Sequence, residues 1–326
     1  GKFIFVGKRT HAIRVEINDE AKDFDQALQS YLKQGYAQAR QLGKAGNAIG
    51  FVMTVYRKLA ASSVQAIYNS LVRRKARLEG MISGEIEYAK EDERYAGEFE
   101  EISISQTDDE FFAGELPLLE ELIERCQRLI PHDRKLKEFM SSMLHSILNE
   151  SPNEKVLIFT EYRSTQDYIQ QALAQKFGVD KVELINGSMK AIDRREAIKR
   201  FEGNGQFLIS TEAGGEGINL QSQCHIMVNY DLPWNPMRLV QRIGRLYRYG
   251  QKKVVLVFNI HSPTTADEKI ISLMYERINQ VVKDLATVGD EYNERLGDDI
   301  LGQVADLADM ETILNEAPEN NINRTQ

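Results

Sequence analysis

The sequence predicts an α/β fold: a parallel sheet flanked by helices, preceded by a helical subdomain. From Lys155 onward, short apolar runs alternate with amphipathic stretches. These runs are apolar on successive residues, so both faces of each strand are covered, as in a parallel sheet between helical layers. Before Lys155, apolar residues recur mainly at helical spacing.

At the start, His11 to Ile17 alternates, with Ile13, Val15 and Ile17 on one side and Arg14 and Glu16 on the other. That period of two marks a half-buried strand. Asn18 and Asp19 then offer capping oxygens to a helix beginning near Glu20. Helix continues to about Glu79, broken near Gly43 to Gly50, with Val52, Val55, Tyr56, Leu59, Val64, Ile67, Leu71, Val72 and Leu78 close to a 3.6 period. Residues 80–114 carry too few apolar side chains to offset ordering entropy, which predicts a mobile acidic insertion. Leu116 to Leu148 is helical again and divided at Pro131, whose ring clashes inside a helix.

In the sheet region, strands are expected at Val156 to Thr160, Val182 to Asn186, Phe207 to Ser210, Ile226 to Tyr230 and Val254 to Ile260. Helices are expected between them, at Thr165 to Phe177, Asp193 to Phe201 and Met237 to Leu246, with a last one at Ala266 to Ala286. Functional loops of such sheets lie at the carboxyl ends of the strands. The expected domains are a strand closing a preceding lobe or linker at 1–19, a helical linker subdomain at 20–150, the sheet lobe at 151–289 and an acidic tail at 290–326. The chain opens Gly-Lys-Phe, which reads as the cut end of a larger polypeptide.

No uninterrupted apolar run approaches the ~18 residues of a membrane span, so no membrane partner is expected. Two cysteines without a C-x-x-C partner and five scattered histidines indicate neither a disulfide framework nor a metal site, and a cytoplasmic setting fits. The net charge is -8, but it is concentrated. Residues 85–110 hold eleven Asp/Glu against two Lys/Arg, residues 290–326 hold ten against two, and the remainder is +9. A basic body suits phosphate binding.

The most specific motif is Gln241-Arg-Ile-Gly-Arg245-Leu-Tyr-Arg248-Tyr-Gly-Gln251. Arg245 and Arg248, three apart, would project from nearly one helix face, where planar guanidinium groups can reach phosphate oxygens together. A second motif directly follows a strand: Ser210-Thr211-Glu212-Ala-Gly-Gly215-Glu216-Gly217-Ile-Asn219. Its glycines let the backbone approach a ligand, and exposed N–H groups in such a turn suit phosphate oxygens. Asn229-Tyr-Asp-Leu-Pro-Trp234-Asn235-Pro236 precedes the first motif, and Pro236 suits a helix's first turn. Trp234 either stacks on nucleic acid or packs in the core.

Together these motifs resemble motifs V and VI of superfamily 2 helicases, nearest the Snf2-like branch, and within it the bacterial group that includes the RNA-polymerase-recycling motor. Val156 to Thr165 resembles motif IV, and Ile185 to Met189 with Arg194 and Phe201 the element after it. The helices around Arg57 to Ser63 and Ser70 to Arg74 resemble those linking the two lobes, with basic positions facing DNA as one reading and a solvated face as the other. The resemblance is strong over residues 155–286 and weak over 10–80, and Glu212 and Glu216 depart from the Arg and Leu of eukaryotic members.

The resemblance implies the C-terminal RecA-like lobe of an ATP-dependent DNA translocase. It implies arginine fingers at Arg245 and Arg248 with Gln241 beside them, and a nucleotide cleft at Gly215, Glu216, Gly217 and Asn219. A nucleic-acid track is implied at Thr160, Arg163, Ser188, Arg194, Thr211, Trp234 and Asn235. No G-x-x-x-x-G-K-[ST] loop occurs, and Asp19-Glu20-Ala21-Lys22 reads as a helix cap rather than an acidic metal box. ATP and Mg²⁺ are therefore expected mainly on an N-terminal RecA-like lobe of the same parent, with the isolated chain inactive. Double-stranded DNA is the favoured track; RNA is an alternative. A non-catalytic module binding RNA polymerase or a defence-complex subunit, and a self-sufficient hydrolase, are rival readings.

Overall fold

A computed structural model describes residues 7–81, 109–215, 217–233 and 236–262. Six strands form one all-parallel sheet in the order β1-β6-β5-β2-β4-β3. They are β1 (Lys8–Arg14), β2 (Val156–Phe159), β3 (Val182–Ile185), β4 (Phe207–Ser210), β5 (Ile226–Asn229) and β6 (Val255–His261). β2 and β4 are buried along their whole length, as their unbroken apolar runs require.

Alternate residues of β2 to β6 feed two cores. Val156 and Ile158 face Ile169 and Leu173 of α7 (Arg163–Phe177), with Phe139, Met143 and Leu144 from the preceding helical stretch. Leu157 and Phe159 face Ala197 and Phe201 of α8 (Ala191–Glu202), together with Leu246. The three-layer arrangement expected from the sequence is thus observed, with β2 to β6 each within a residue of its expected position.

Three details differ from expectation. β1 starts and ends three residues early and pairs in register with β6, so it is the edge strand of this sheet rather than the close of a preceding lobe. Most of it is exposed; the apolar alternation continues past its end, where buried Val15 still donates to His261 O at 2.8 Å. Second, Phe111 and Phe112, inside the segment expected to be mobile, are buried in the helical core, whereas 82–108 lie outside the described residues. Third, the helical region after Leu116 splits between cores. Its first part, α4 (Glu115–Leu129), packs in the helical subdomain. Beyond the 3₁₀ turn holding Pro131 (Ile130–His132), α5 (Arg134–Lys137), a π-helical turn (Glu138–Met143) and α6 (Leu144–Glu150) lead onto the sheet, so sheet packing begins before the expected boundary at 151.

The helical subdomain is α1 (Asp19–Leu42), α2 (Asn47–Ser62), α3 (Val64–Leu78) and α4. Asn18 caps α1 by accepting from Ala21 N, and Lys22 pairs with Asp19 at 3.0 Å, so the Asp-Glu-Ala-Lys string is a helix start. In the centre, fully buried Arg74 makes a two-pronged pair with fully buried Glu115, at 3.0 and 2.8 Å. Tyr31 Oη and Phe111 N also donate to Glu115, at 2.7 and 2.6 Å, and Arg74 stacks 3.7 Å over the Phe111 ring. Arg74 is therefore a core residue, which corrects the reading that places it near DNA.

The expected helix Ala266 to Ala286 and the acidic tail lie outside the described residues.

Candidate functional site

Where β2 and β5 end side by side, buried Asp231 collects four donors from three parts of the chain. Thr160 Oγ1 (2.5 Å) and Glu161 N (3.0 Å) come from the loop after β2, and Ser62 Oγ (2.6 Å) from the end of α2. Arg242 places its guanidinium 3.7 Å from the Asp231 carboxylate and donates to Asp231 O at 2.9 Å. A carboxylate this buried is stable only when so compensated.

Arg242 lies near the end of α9 (Pro236–Ile243), which begins at the proline expected in its first turn. Fully buried, it stacks 5.3 Å over Phe159, donates to Asn229 Oδ1 at 3.1 Å and pairs with the Glu212 carboxylate. It pins α9 to the sheet and to the glycine-rich loop after β4.

Beyond this anchor the helix stops. Arg245 and Arg248 lie in the following turns, not on a helix face as expected. The reason is packing: Leu246 turns fully inward and Tyr247 partly, against the core shared with α8, while Gln251 goes on to donate to Cys224 O just ahead of β5. Between these anchors, Arg245 is half-buried and its guanidinium has no partner among the described residues. Exposed Arg248 donates to Asn219 Oδ1, which brings the two motifs together. Gln241 is exposed nearby in sequence.

The glycine-rich loop is tighter than a phosphate cradle. Gly215 is buried and its N–H is bonded to Thr211 O at 2.9 Å, so the expectation that this amide is offered to a nucleotide is corrected. Gly217 is exposed, at φ 74°, a conformation that favours glycine. Gly214 is required by close approach: a Cβ there would sit 2.5 Å from the Ile185 carbonyl carbon and 2.6 Å from Asn186 N. Gly214→Ala must push the loop off the end of β3, and we expect a loss of roughly 1–3 kcal/mol, read as a lowered urea midpoint.

Thr160 and Thr211, expected on the nucleic-acid track, are corrected as well. Both are fully buried; Thr160 Oγ1 is spent on Asp231, and Thr211 Oγ1 accepts from Gly214 N at 3.3 Å. Arg194 spans Met189 O and Ala213 O, at 3.3 and 3.4 Å, and so ties the loops after β3 and β4 together. Ser188 is exposed, fixed to Asn186 Oδ1 at 2.9 Å, and Arg163 is half-buried at the start of α7. Glu216, Trp234 and Asn235 lie outside the described residues. Sequence reasoning quoted Asp231 and Arg242 within its motifs but assigned them no role. The available signal was a carboxylate and an arginine set inside apolar stretches, where a charge demands a partner.

Glu161, beside Asp231, is strongly perturbed. Burial, then the Asp231 carboxylate, push its carboxyl up to about 7, while Arg238, Arg242 and Lys58 pull the other way. Arg238 Nη1 donates to it at 3.1 Å. Since the folded state holds this proton more tightly than the unfolded one, stability falls as pH rises from about 4.5 to about 7 and stays reduced above. Glu161→Gln is therefore expected to stabilise the fold at pH 8, by on the order of 3 kcal/mol at most, read as a higher thermal midpoint. The gain should vanish by pH 4.5; an equal gain at both pH values would contradict the assignment.

Among the described residues, no group of three His, Cys, Asp or Glu is placed to hold a metal ion, and no helix is long and apolar enough to cross a membrane.

The model for the helicase conserved C-terminal domain matches residues 138–250, from the π-helical turn to the end of the arginine motif. A Bacillus subtilis (strain 168) protein, the uncharacterized ATP-dependent helicase YqhH, is 48% identical over 139 residues, 42% of this chain and 24% of that protein. The RNA polymerase-associated protein RapA of Vibrio campbellii is 29% identical over 181 residues, 53% of this chain and 18% of that protein. The matched part thus spans a quarter or less of these relatives. In fold, the chain is similar to the Pyrococcus furiosus Hef helicase domain, with a TM-score of 0.52 at 15% identity over 83% of this chain and 58% of the other. The parallel sheet, the arginine motif on its face and these matches converge: residues 138–250 match the helicase conserved C-terminal domain, set on a RecA-like sheet, and the chain is similar there to helicases of the Snf2-like group.

Proposed function

We propose that this chain is the second motor lobe of an ATP-driven DNA translocase, and that it presents Arg245 and Arg248 to the γ-phosphate of an ATP held by a companion lobe. The observation that carries the reading is the state of those two side chains. The motif's third arginine, Arg242, is buried and paired with carboxylates, whereas Arg245 has no side-chain partner among the described residues and Arg248 is exposed. An arginine with no side-chain partner among the described residues, held near an exposed one, suits a phosphate that arrives from outside.

The residues present fit a nucleotide's terminal phosphate, with Asn219 and Gly217 at its side. ATP supplies the phosphoryl group whose transfer powers movement, and Mg²⁺ belongs with the companion lobe's carboxylate. Arg163 and Ser188 remain the candidates for contact with a DNA backbone, since both reach the surface near strand carboxyl ends. Thr160, Thr211 and Arg194 act behind them by holding the loops. Double-stranded DNA is favoured by the Snf2-like relationship, and the basic balance outside the acidic segments suits it.

Two measurements on the 326-residue chain test this. A duplex of about 20–30 base pairs should bind with an affinity that falls steeply as salt is raised, by counterion release. ATP should not turn over with or without that duplex. Turnover by the chain alone would favour a self-sufficient hydrolase, and salt-independent or absent duplex binding would favour a protein-interaction module.

A further inference from the structure

We propose that Ser62 and Asp231 form a positioning link through which the helical subdomain sets the placement of the arginine pair. The inference rests on the functional reading above for its consequence in catalysis, but the link itself stands on geometry. Ser62 closes α2 and Ser63 caps α3, accepting from Ala66 N at 3.1 Å, so the pair forms the corner of the helical hairpin. The lobe grips this corner from two sides. Thr165 Oγ1 lies 2.7 Å from Ser62 Oγ and 2.8 Å from Ser63 Oγ, and Lys135 Nζ donates to Ala61 O and Ser62 O at 2.9 Å each.

From the corner the connection runs inward without a gap. Ser62 Oγ donates to Asp231 Oδ2, the Asp231 carbonyl accepts from Arg242 Nη1, and the Arg242 carbonyl accepts from Arg245 N at 3.0 Å. Every side chain in this series before Arg245 is buried. The serine is 169 residues from Asp231 in sequence, so nothing local to the arginine motif requires it. Simple packing would be served by an apolar residue, whereas a hydroxyl aimed at a buried carboxylate fixes direction as well as distance.

The series also contains one unsettled bond. Arg242 Nη2 is buried with no hydrogen-bond acceptor among the described residues, and lies 3.7 Å from Asp231 Oδ1. Asp231 and Arg242 therefore have room for a closer pairing, and whether they take it depends on how Ser62 and Thr160 hold the carboxylate. A shift of the helical hairpin alters that hold and moves the segment carrying Arg245 and Arg248. The helical subdomain is thus a control element for the arginine pair.

Ser62→Ala and Ser62→Thr test the link. In the intact motor containing both lobes, Ser62→Ala should lower kcat for DNA-stimulated ATP turnover about 10-fold or more, since misplacement by an ångström costs up to about 10²-fold. KM for ATP and DNA affinity should stay within about 2-fold, and Ser62→Thr, which keeps the hydroxyl, should recover kcat. In parallel, hydrogen exchange on the present chain without nucleotide reads the 245–247 amides, which are bonded to Arg242 O and Ile243 O. They should exchange faster in Ser62→Ala than in the parent or in Ser62→Thr, with α4 unchanged. Unaltered exchange at 245–247 in Ser62→Ala would overturn the link, as would a kcat equal to the parent's. The exchange readout involves no nucleotide chemistry, so failure of the arginine reading, seen as full turnover in Arg248→Ala, is told apart from failure of the link.

Discussion

Arg245→Ala and Arg248→Ala, each introduced into the intact motor, are expected to reduce DNA-stimulated ATP turnover by roughly 10³- to 10⁵-fold, the range that supplied arginines contribute to phosphoryl transfer. DNA affinity should change little. The expectation follows from where the side chains are: neither holds the sheet together, and Arg248 is exposed with Asn219 as its side-chain hydrogen-bond partner among the described residues. Removing them therefore leaves the buried Arg242 anchor, Leu246 and the core intact. Lysine is a poor replacement, because a point charge lacks the planar fork that meets two phosphate oxygens at once. Arg245→Lys and Arg248→Lys should accordingly recover little. Turnover near the parent's in both alanine variants, measured at saturating DNA and ATP, would remove the basis for the functional reading.

Glu115→Ala should be the most destabilising single change in the helical subdomain. Its carboxylate meets Arg74, Tyr31 and Phe111 N in a site with no solvent exposure. Deleting it strands a buried guanidinium, and breaking a buried pair from one side costs about 3–5 kcal/mol. The low end applies if Arg74 keeps its bond to Asp109 O at 2.7 Å. A further contribution comes from Tyr31 Oη, which loses its acceptor in a setting where burial already raises its pKa. A urea titration followed by helical circular dichroism reads the loss. A change below about 1 kcal/mol would mean that water reaches the pair and that the subdomain's core is looser than described.

Much of the lobe was legible because its strands are apolar on both faces, and a run such as Val156 to Phe159 has no soluble alternative to burial. The edge strand was misregistered for the opposite reason. β1 is largely exposed, so its alternation follows the residues beyond it more than the pairing with β6. Phe111 and Phe112 were hidden by acidic neighbours, and only Glu115 and Arg74 show why that part of the acidic segment enters a core. Arg74 itself could not be told from a surface cation, since its partner lies 41 residues away.

At the site, the motifs read from the sequence mix two kinds of residue. Arg248 is exposed and Arg245 half-buried, but Thr160, Thr211 and Gly215 are buried and shape the loops. Spacing does not separate these roles, because both depend on which neighbouring strand supplies a partner. Asp231 is the clearest instance: its donors come from α2, from the loop after β2 and from α9, three segments brought together only by folding.

The most direct test of the central claim compares two ligands in the intact motor: ADP alone, and ADP with a metallofluoride that mimics the phosphoryl group in transfer. An arginine that acts on that group strengthens binding of the mimic and not of ADP. The account predicts that Arg248→Ala weakens binding of the mimic by at least about 10²-fold while ADP affinity is unchanged. Equal affinity for the mimic in parent and variant, or an equal loss for both ligands, would contradict it.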